Sequence, residues 1–366
     1  MSDDATTGPS TGAALPTMLQ VSFAGTPTEI GEQHGNALAE RIGSCVELYR
    51  RVFGLGDDEL GRRAAHFEQV TRDWAPDLAA EIDAIAAGSG QAARDVWALN
   101  ARSEIMSCTG TVATECTSML APGLHLLAQN WDWISDLEPL TVLMDVTATD
   151  GHRLATITEP GMVGKVGMST AGVAVGLNFL YSRHSLPGVP VHVLLRRLLD
   201  ERDSSAVHDV VASAGAGRSA HVFLATHRDG ATVGTSYEFT GLETHRKDSA
   251  DEPLLHTNHF LLTDGMPQGT SAANSAGRHD RAVALLEAGA GTDPDSVRSF
   301  LDDDDGSDTP ICRVWAPSPS LPGIETGTVC AVMADVGRGR LSVRRGPNPA
   351  APWQHLDLNQ TQGDLS

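Results

Sequence analysis

Basic residues are few in this sequence. The 366 residues include 26 Lys and Arg against 47 Asp and Glu, which gives a formal net charge of −21. Nucleic-acid binding depends on clustered Lys and Arg side chains that neutralise phosphates. Because the basic residues are scattered along an acidic chain, we expect no nucleic-acid partner.

Long apolar runs are absent as well. No stretch approaches the ~20 consecutive apolar residues that span a bilayer. The first twenty residues, Met1 to Gln20, are rich in Ser, Thr, Gly, Ala and Asp, and they lack both a basic start and an apolar run of signal-peptide length. We therefore expect a flexible tail over residues 1–20, no membrane partner and a cytoplasmic location.

Cysteine is also scarce. The five cysteines are an odd number without metal-ligand spacing, and they are Cys45, Cys108, Cys116, Cys312 and Cys330. This pattern favours a reducing compartment and gives no reason to expect a metal or another cofactor. A lone cysteine is usually a small buried apolar residue, an interpretation that we apply to all of them except Cys116.

What the chain does contain is a change of pattern near residue 110. A hydrophobic content of 41% is ample for a packed core. Apolar residues recur at helical spacing in the first part, which predicts helices over Thr28 to Phe53, Asp57 to Asp73, Pro76 to Ala87 and Ala93 to Met106.

From Thr111 the pattern changes to short β-type runs. Predicted strands are Thr111 to Ala121, Leu124 to Trp133, Leu140 to Thr147, Arg153 to Thr158, Lys165 to Ser169, Gly172 to Leu180, His221 to His227, Ala231 to Phe239, Leu254 to His259, Val329 to Asp335 and Arg340 to Arg344. Helices are predicted at Val191 to Glu201 and, as a pair, between Asn274 and Leu301, where Asp293 and Pro294 begin the second. Helices combined with many antiparallel strands indicate a layered α+β domain. Residues 346–366, rich in Pro, Asn and Gln, are expected to form a C-terminal tail.

The strongest indication of chemistry is one thiol close to one carboxylate. Cys116 lies in Thr-Glu-Cys-Thr-Ser, and Asp132 lies one predicted strand later in Gln-Asn-Trp-Asp-Trp. A thiol becomes a useful nucleophile when a base takes its proton, and no histidine occurs between Ala101 and Leu124. If the chain is cut before Cys116, the freed α-amine, with a pKa of about 7.7 to 8.0, can be that base.

Several short motifs occur together along most of the chain. In order they are Gly25-Thr26-Pro27, Glu29-Ile30-Gly31, Gln33-His34-Gly35, Leu99 to Ile105, Glu115-Cys116-Thr117-Ser118, Gln129 to Trp133, Gly176-Leu177-Asn178, Thr257 to Phe260, Ser275 with Arg278, and Ile311-Cys312-Arg313. In this order and combination they resemble the acyl-coenzyme A:isopenicillin N acyltransferase-like family, whose members are N-terminal nucleophile hydrolases that cleave themselves before a cysteine.

The resemblance implies a four-layer αββα sandwich, in which two antiparallel sheets lie between helical layers. It also implies a cut between Glu115 and Cys116. Residues 21–115 would become a helical α-chain and residues 116–345 the β-chain core, and the two would remain associated as one domain.

The resemblance also implies roles for individual residues. Cys116 would be the nucleophile of both self-cleavage and turnover, and Asn258 would donate a hydrogen bond to the oxyanion. Asp132 and Arg313 would order the surroundings of the nucleophile. Further candidates for contact with the oxyanion or the substrate are Asn178, Asn130 and His259.

The expected activity is that of a cofactor-independent amide hydrolase or N-acyltransferase. An acyl group would pass from a small N-acyl compound, a coenzyme A thioester or a carrier-protein thioester to Cys116, and then to water or an amine. Two alternatives remain open. Glu115, which is bulky and charged, is compatible with an uncut binding protein on the same fold, and an uncut cysteine-histidine hydrolase would depend on a residue such as His259.

Overall fold

Two β-sheets stack face to face and helices cover both outer sides. The computed structural model describes residues 15–109, 116–181, 184, 186–263, 266, 272–318 and 320–360. Among them the helices are α1 (Pro27–Ala37), α2 (Ala39–Phe53), α3 (Asp57–Trp74), α4 (Pro76–Ser89), α5 (Ala93–Asn100), α6 (Arg102–Thr109), α7 (Val191–Leu199), α8 (Val207–Ser213), α9 (Ala272–Glu287) and α10 (Pro294–Leu301).

The first sheet, sheet A, begins and ends with strands that the sequence did not predict. Its order is β1 (Leu19–Gly25), β4 (Val142–Ala148), β5 (Arg153–Thr158), β6 (Val166–Ser169), β7 (Val173–Phe179), β8 (Ser219–Arg228), β9 (Ala231–Thr240) and β10 (Thr244–Ser249). Neighbouring strands are antiparallel except for β1 and β4, which pair in parallel. A parallel pair needs a long connection, and here the helices of residues 27–109 lie between the two strands.

The second sheet, sheet B, contains the strand that follows Cys116. Its order is β11 (Leu254–His256), β2 (Thr117–Ala121), β3 (Leu126–Ile134), β13 (Glu325–Asp335), β14 (Arg340–Arg345) and β15 (Trp353–Asp357), with β12 (Ala316–Pro317) paired to β13. Each of these pairs is antiparallel.

The two sheets are joined through buried polar contacts as well as apolar ones. The Gln129 amide on β3 donates to the Leu177 carbonyl at 2.6 Å and accepts from the Leu177 N–H at 2.9 Å on β7. The outer face of sheet B is covered by α9 and α10, where Val297 and Phe300 pack with Met333. On the other side α7 packs against β6 and β7. The α+β class and the four-layer arrangement are therefore confirmed.

Two predicted long helices are each interrupted by one residue. The predicted Thr28–Phe53 helix is α1 and α2, separated at Leu38, whose φ and ψ are −119° and 19°. A Cβ on Gly31 would lie 2.3 Å from the Glu81 carbonyl oxygen, so α1 approaches the α4 backbone more closely than other residues allow. We attribute the break to this close packing, which α2 does not share. The predicted Ala93–Met106 helix is likewise interrupted, at Ala101.

Ordered strands also extend into both segments that we predicted as tails. At the N-terminus β1 begins at Leu19 and pairs with β4. At the C-terminus β15 pairs with β14 from Arg344 to Arg340. Both are edge strands. In β1, Leu19, Val21 and Phe23 alternate with Gln20 and Ser22, which is a strand pattern visible in the sequence, whereas the apolar residues of β15 are too few to give one.

Candidate active site

Cys116 directly precedes β2, in the interior of the molecule. Its side chain is buried, and its Sγ lies 3.8 Å from the Asp132 carbonyl oxygen on β3. Burial raises the pKa of the thiol to about 11; the charge of Asp132 acts in the same direction, while Lys165 and Arg278 oppose it. In the uncut chain the thiol is therefore protonated at neutral pH.

Two side chains hold the main-chain carbonyl of Cys116. The Asn178 Nδ2 donates to this oxygen at 3.1 Å and the Arg278 Nη1 donates at 2.9 Å. Asn178 comes from β7 in sheet A and Arg278 from α9, on the other side of sheet B. The nucleophile is thus fixed from both neighbouring layers.

Arg278 connects two of the candidate residues, Cys116 and Asn258, although sequence reasoning assigned it no role. It is fully buried and donates to Thr117 Oγ1 at 2.9 Å, to Asn258 Oδ1 at 3.1 Å and to Asn274 Oδ1 at 2.8 Å, in addition to Cys116. Burial lowers its pKa to about 10, and the charge of Asp132 opposes the shift. In the sequence, Arg278 was one of the residues in the motifs that resemble the acyltransferase-like family, and this was the indication of its importance.

Asn258 follows β11, and three contacts fix its position. Its main-chain N–H donates to Ser275 Oγ at 2.7 Å and its Nδ2 donates to the Phe179 carbonyl at 3.0 Å. Because Arg278 donates to Oδ1, the orientation of the Asn258 amide is determined by its partners.

The orientation of the Asn178 amide is determined by a similar set of contacts. Its Oδ1 accepts from Ser118 Oγ at 2.6 Å and lies 3.0 Å from His221 Nδ1, which must therefore carry a hydrogen. The His221 ring stacks on His256 with centroids 3.5 Å apart, and His256 Nε2 lies 2.9 Å from the Glu238 carboxylate. Burial holds the pKa of His221 well below its usual value, so this ring is neutral.

Asp132 has one satisfied oxygen and one that lacks a hydrogen bond. Oδ1 accepts from Thr328 Oγ1 at 2.7 Å, whereas the buried Oδ2 has no hydrogen-bond partner among the described residues. Burial raises the pKa of Asp132 to about 7, against the charge of Arg278 and the Thr328 bond. An unmatched carboxylate oxygen beside a thiol is a place where a cation is favourable.

Arg313 joins the Asp132 contacts through its main chain. Its N–H donates to Thr328 Oγ1 at 2.9 Å, and its carbonyl accepts from the Thr328 N–H at 2.9 Å. Burial lowers the pKa of the Arg313 guanidinium to about 10. The arginine that contacts Cys116 and Asn258 directly is Arg278.

Two further candidate residues, Asn130 and His259, form hydrogen bonds with groups other than Cys116. The Asn130 amide donates to the carbonyls of Leu301 at 2.8 Å and Ile311 at 3.0 Å, so it ties β3 to the α10 layer. His259 Nδ1 lies 2.8 Å from Ser275 Oγ, and burial lowers its pKa to about 4. Ser275 also accepts from Asn258, which places His259 next to the site without contact to the thiol.

Glu115 lies outside the described residues, as does the side chain of Cys108. Of the other cysteines, Cys45, Cys312 and Cys330 are buried. Within the described ranges no three His, Cys, Asp or Glu side chains are grouped in a way that could hold a metal ion. None of the described helices combines the length and apolar character needed to cross a bilayer.

Comparison with known proteins identifies relatives over most of the chain. Residues 120–336 match the family "Acyl-coenzyme A:6-aminopenicillanic acid acyl-transferase". The chain is 30% identical over 322 residues to the acyl-coenzyme A:6-aminopenicillanic-acid-acyltransferase 40 kDa form of Emericella nidulans, which covers 83% of this chain and 87% of the relative.

The solved structures that match this chain share less sequence identity with it. An N-acylethanolamine-hydrolyzing acid amidase ortholog from Caenorhabditis elegans is 15% identical with a TM-score of 0.44, over 61% of this chain and 93% of the other. A penicillin V acylase from Agrobacterium tumefaciens is 16% identical with a TM-score of 0.44, over 67% and 88%. The family match and the 30% identity confirm the resemblance seen in the sequence, and the protein belongs to the acyl-coenzyme A:6-aminopenicillanic acid acyl-transferase family.

Proposed function

We propose that this protein is a self-processing acyltransferase or amide hydrolase whose nucleophile is Cys116, made N-terminal by cleavage of the Glu115–Cys116 bond. The observation that carries the proposal is the combination found at this residue. Its carbonyl is held by Asn178 and Arg278, and its thiol contacts the main-chain carbonyl of Asp132, whose buried carboxylate has one unmatched oxygen.

Self-cleavage uses the thiol of Cys116 on the preceding peptide bond. The sulfur attacks the Glu115 carbonyl carbon, the C–N bond to Cys116 breaks and its nitrogen leaves as an amine. The resulting thioester is hydrolysed by water, which returns the thiol and releases a carboxylate on Glu115. The clamp on the Cys116 carbonyl supports this step because it restricts the motion of the nucleophile's own backbone.

The new α-amine changes the charge at the site. Protonated, it supplies the cation that the unmatched Asp132 Oδ2 lacks, and it lowers the pKa of the adjacent thiol. Unprotonated, with a pKa of about 7.7 to 8.0, it is the base for turnover. The role of Asp132 in this proposal is thus to orient the amine, as the resemblance implied.

In turnover the thiolate attacks an acyl carbon and an oxyanion forms. The contact of Asn258 Nδ2 with the Phe179 carbonyl uses one of two amide hydrogens, and we assign the second to the oxyanion. One preorganised donor of this kind lowers the barrier by roughly 3 to 4 kcal/mol. The leaving group departs with the proton taken from the thiol, and water or an amine then collects the acyl group from Cys116.

The substrate is proposed from the family. The relative from Emericella nidulans is named for acyl transfer from coenzyme A to 6-aminopenicillanic acid. We infer that this chain takes an acyl group from a coenzyme A or carrier-protein thioester, or from a small amide, and passes it to an amine or to water.

Several contacts across the proposed cut support an α-chain and a β-chain that stay together. The parallel pair of β1 with β4 joins the two parts over seven residues, Leu19 to Gly25. The buried ion pair of Glu81 with Arg196, at 2.6 Å, joins α4 to α7. Separation of the chains would expose both contacts to water.

The test is capture of the acyl-enzyme. Purified protein is mixed with a panel of acyl-coenzyme A thioesters and N-acyl amides, quenched in acid and digested, and acylated peptides are located by mass spectrometry. We expect an acyl group on the peptide that begins with Cys116, and none in Cys116→Ala. The control Cys312→Ala should be acylated like wild type. Acylation that persists in Cys116→Ala, or that occurs on an uncut chain, would contradict the proposal.

A further inference from the structure

A second buried group of charges lies beside the nucleophile, and the mechanism above does not use it. The carboxylate of Glu159, just after β5, pairs with Arg102 at 3.0 Å and with Lys165 at 3.2 Å. Tyr49 donates to the same carboxylate at 2.5 Å and accepts from the Trp133 indole at 2.9 Å. Both cations are buried, with 4% of Arg102 and 1% of Lys165 exposed.

The β3 strand connects this group to the thiol. Thr117, the first residue of β2, pairs with Asn130, and the preceding Cys116 has its Sγ 3.8 Å from the carbonyl oxygen of Asp132, the residue after Trp131. Lys165 Nζ lies 3.3 Å from the centre of the Trp131 ring. The ammonium and the thiol therefore both lie against the Trp131–Asp132 part of β3, and the charges of Lys165 and Arg102 act on the Cys116 thiol.

The identity of the residue at 165 is informative. The chain has 26 basic residues, of which only Lys165 and Lys247 are lysine and 24 are therefore arginine. Arginine is the better choice for a purely structural buried ion pair, whereas lysine is a compact point charge whose proton affinity responds strongly to burial. Burial and the charge of Arg102 lower the pKa of Lys165, while Glu159 and the charge of the Cys116 thiolate raise it.

The charges of the group do not cancel. Although burial opposes ionisation, Arg102 and Lys165 hold the pKa of Glu159 below its usual value, so one anion faces two cations while Lys165 is protonated. Other titratable groups near this cluster are Tyr49 and His192, which burial keeps neutral, the thiols of Cys45 and Cys330, and Glu104, whose pKa burial raises to about 7. Facing the thiol from the other side are Asp132 and Arg278, one charge of each sign.

We propose that Arg102, Glu159 and Lys165 form a positioning site whose net positive charge stabilises the Cys116 thiolate, and that the segment before the cut supplies one of its two cations. Arg102 and Tyr49 precede the Glu115–Cys116 bond, while Glu159 and Lys165 follow it. The helical segment would then contribute to the reactivity of the nucleophile as well as covering the core. The role of this positioning site in turnover rests on the proposed function, but its effect on the pKa of the Cys116 thiol does not.

The test is the pH profile of Cys116 alkylation by iodoacetamide, located by peptide mass spectrometry. Lys165→Met removes one cation with little change in shape, and we expect the profile to move to higher pH by on the order of one unit, with about tenfold slower alkylation near neutral pH. Arg102→Met should move it in the same direction. Lys165→Arg, which keeps the charge, should restore most of the reactivity.

The matched control is Arg196→Met. Arg196 is also fully buried and also pairs with a carboxylate across the proposed cut, Glu81, but it lies away from the thiol. We expect an unchanged profile despite a similar loss of stability. Circular dichroism verifies folding, and Arg102→Met decides the question if Lys165→Met does not fold.

Profiles of Lys165→Met and Arg102→Met that coincide with wild type, or an equal shift in Arg196→Met, would overturn the inference. The alkylation assay applies to the cut and the uncut protein alike. A chain that stays uncut therefore contradicts the proposed function, while the charge dependence of the thiol is still measured.

Discussion

Replacement of Arg278 by methionine tests how the site is held together. Arg278 donates four hydrogen bonds, to the Cys116 carbonyl, Thr117 Oγ1, Asn258 Oδ1 and Asn274 Oδ1, at 2.8 to 3.1 Å. Methionine fills a similar volume but donates nothing. The variant thus separates the hydrogen bonds and the charge from the packing.

The loss of stability follows from which acceptors remain satisfied. The Cys116 carbonyl keeps its bond from Asn178, and Asn274 is partly exposed to water. Thr117 Oγ1 and Asn258 Oδ1 are buried and lose the charged donor. With about 1.5 to 3 kcal/mol for each hydrogen bond to a charged group, we expect a loss of roughly 3 to 5 kcal/mol.

The loss of activity should exceed the loss of folded protein. Without Arg278 the Asn258 amide is no longer held in one orientation, and its oxyanion donor is partly lost. Removal of such a donor lowers kcat by about 10²- to 10³-fold. Because the role proposed for Arg278 is to orient the oxyanion donor Asn258 and not to bind substrate, KM should change little.

The assays are urea denaturation and steady-state kinetics on a substrate identified by acyl-enzyme capture. Arg278→Lys should recover part of the stability but little of kcat, since one ammonium cannot reach all four acceptors. The control is Arg281→Gln, three residues on in α9, where a partly exposed pair with Asp303 is lost. It should change stability by less than about 1 kcal/mol. A kcat of Arg278→Met within a few-fold of the control would contradict the proposed role of Arg278.

Two further outcomes follow from the burial of the ionisable groups. Because the pKa of Asp132 is raised to about 7 from about 3.9 in the unfolded chain, the folded uncut protein binds more protons between pH 4 and 7, and its stability falls as pH rises through this window. In the uncut Cys116→Ala background, Asp132→Asn should reduce this fall by up to about 4 kcal/mol between urea denaturation at pH 4 and at pH 7, and an unchanged slope would count against the assignment. Iodoacetamide at pH 8 should label Cys116 in the native processed protein but not Cys45, Cys312 or Cys330, since burial raises the pKa of each of those thiols. Equal labelling of all four cysteines before denaturation would show that Cys116 is not activated.

The sequence predicted elements well where local chemistry marks their ends. Strand β5 was predicted at Arg153 to Thr158, and the structure has the same residues, because the Asp150-Gly151 turn fixes the start. Helix α10 begins at Pro294 with Asp293 as its N-cap, as expected, and the Asp293 carboxylate accepts from the Ser296 N–H at 2.8 Å. Signals of this kind act over a few residues and are readable without the tertiary fold.

Elements stabilised by distant partners were not predicted. Strand β10 carries mainly polar, exposed residues and is a strand because it pairs with β9 over Thr244 to Ser249. The break at Leu38 depends on how closely α1 approaches α4, which no local pattern reports. In both cases the tertiary contacts override the local preference.

The same distinction applies to the site. Cys116 and Asp132 were identified from neighbouring motifs, and the structure brings them together on paired strands. Arg278 lies 162 residues from Cys116 in the chain, and its contact with the carbonyl exists only in the folded molecule. Arginine in a helix is usually a surface residue, and the sequence around Arg278 does not show that this one is buried. Its contacts with Cys116 and Asn258 therefore could not be derived from residue spacing.

The most direct test of the account is the intact mass of the purified full-length protein under denaturing conditions. We predict two chains that copurify, one of which begins at Cys116, and a Cys116→Ala variant that remains a single chain. A single full-length wild-type species that persists on prolonged incubation would contradict the central claim that Cys116 becomes an N-terminal nucleophile.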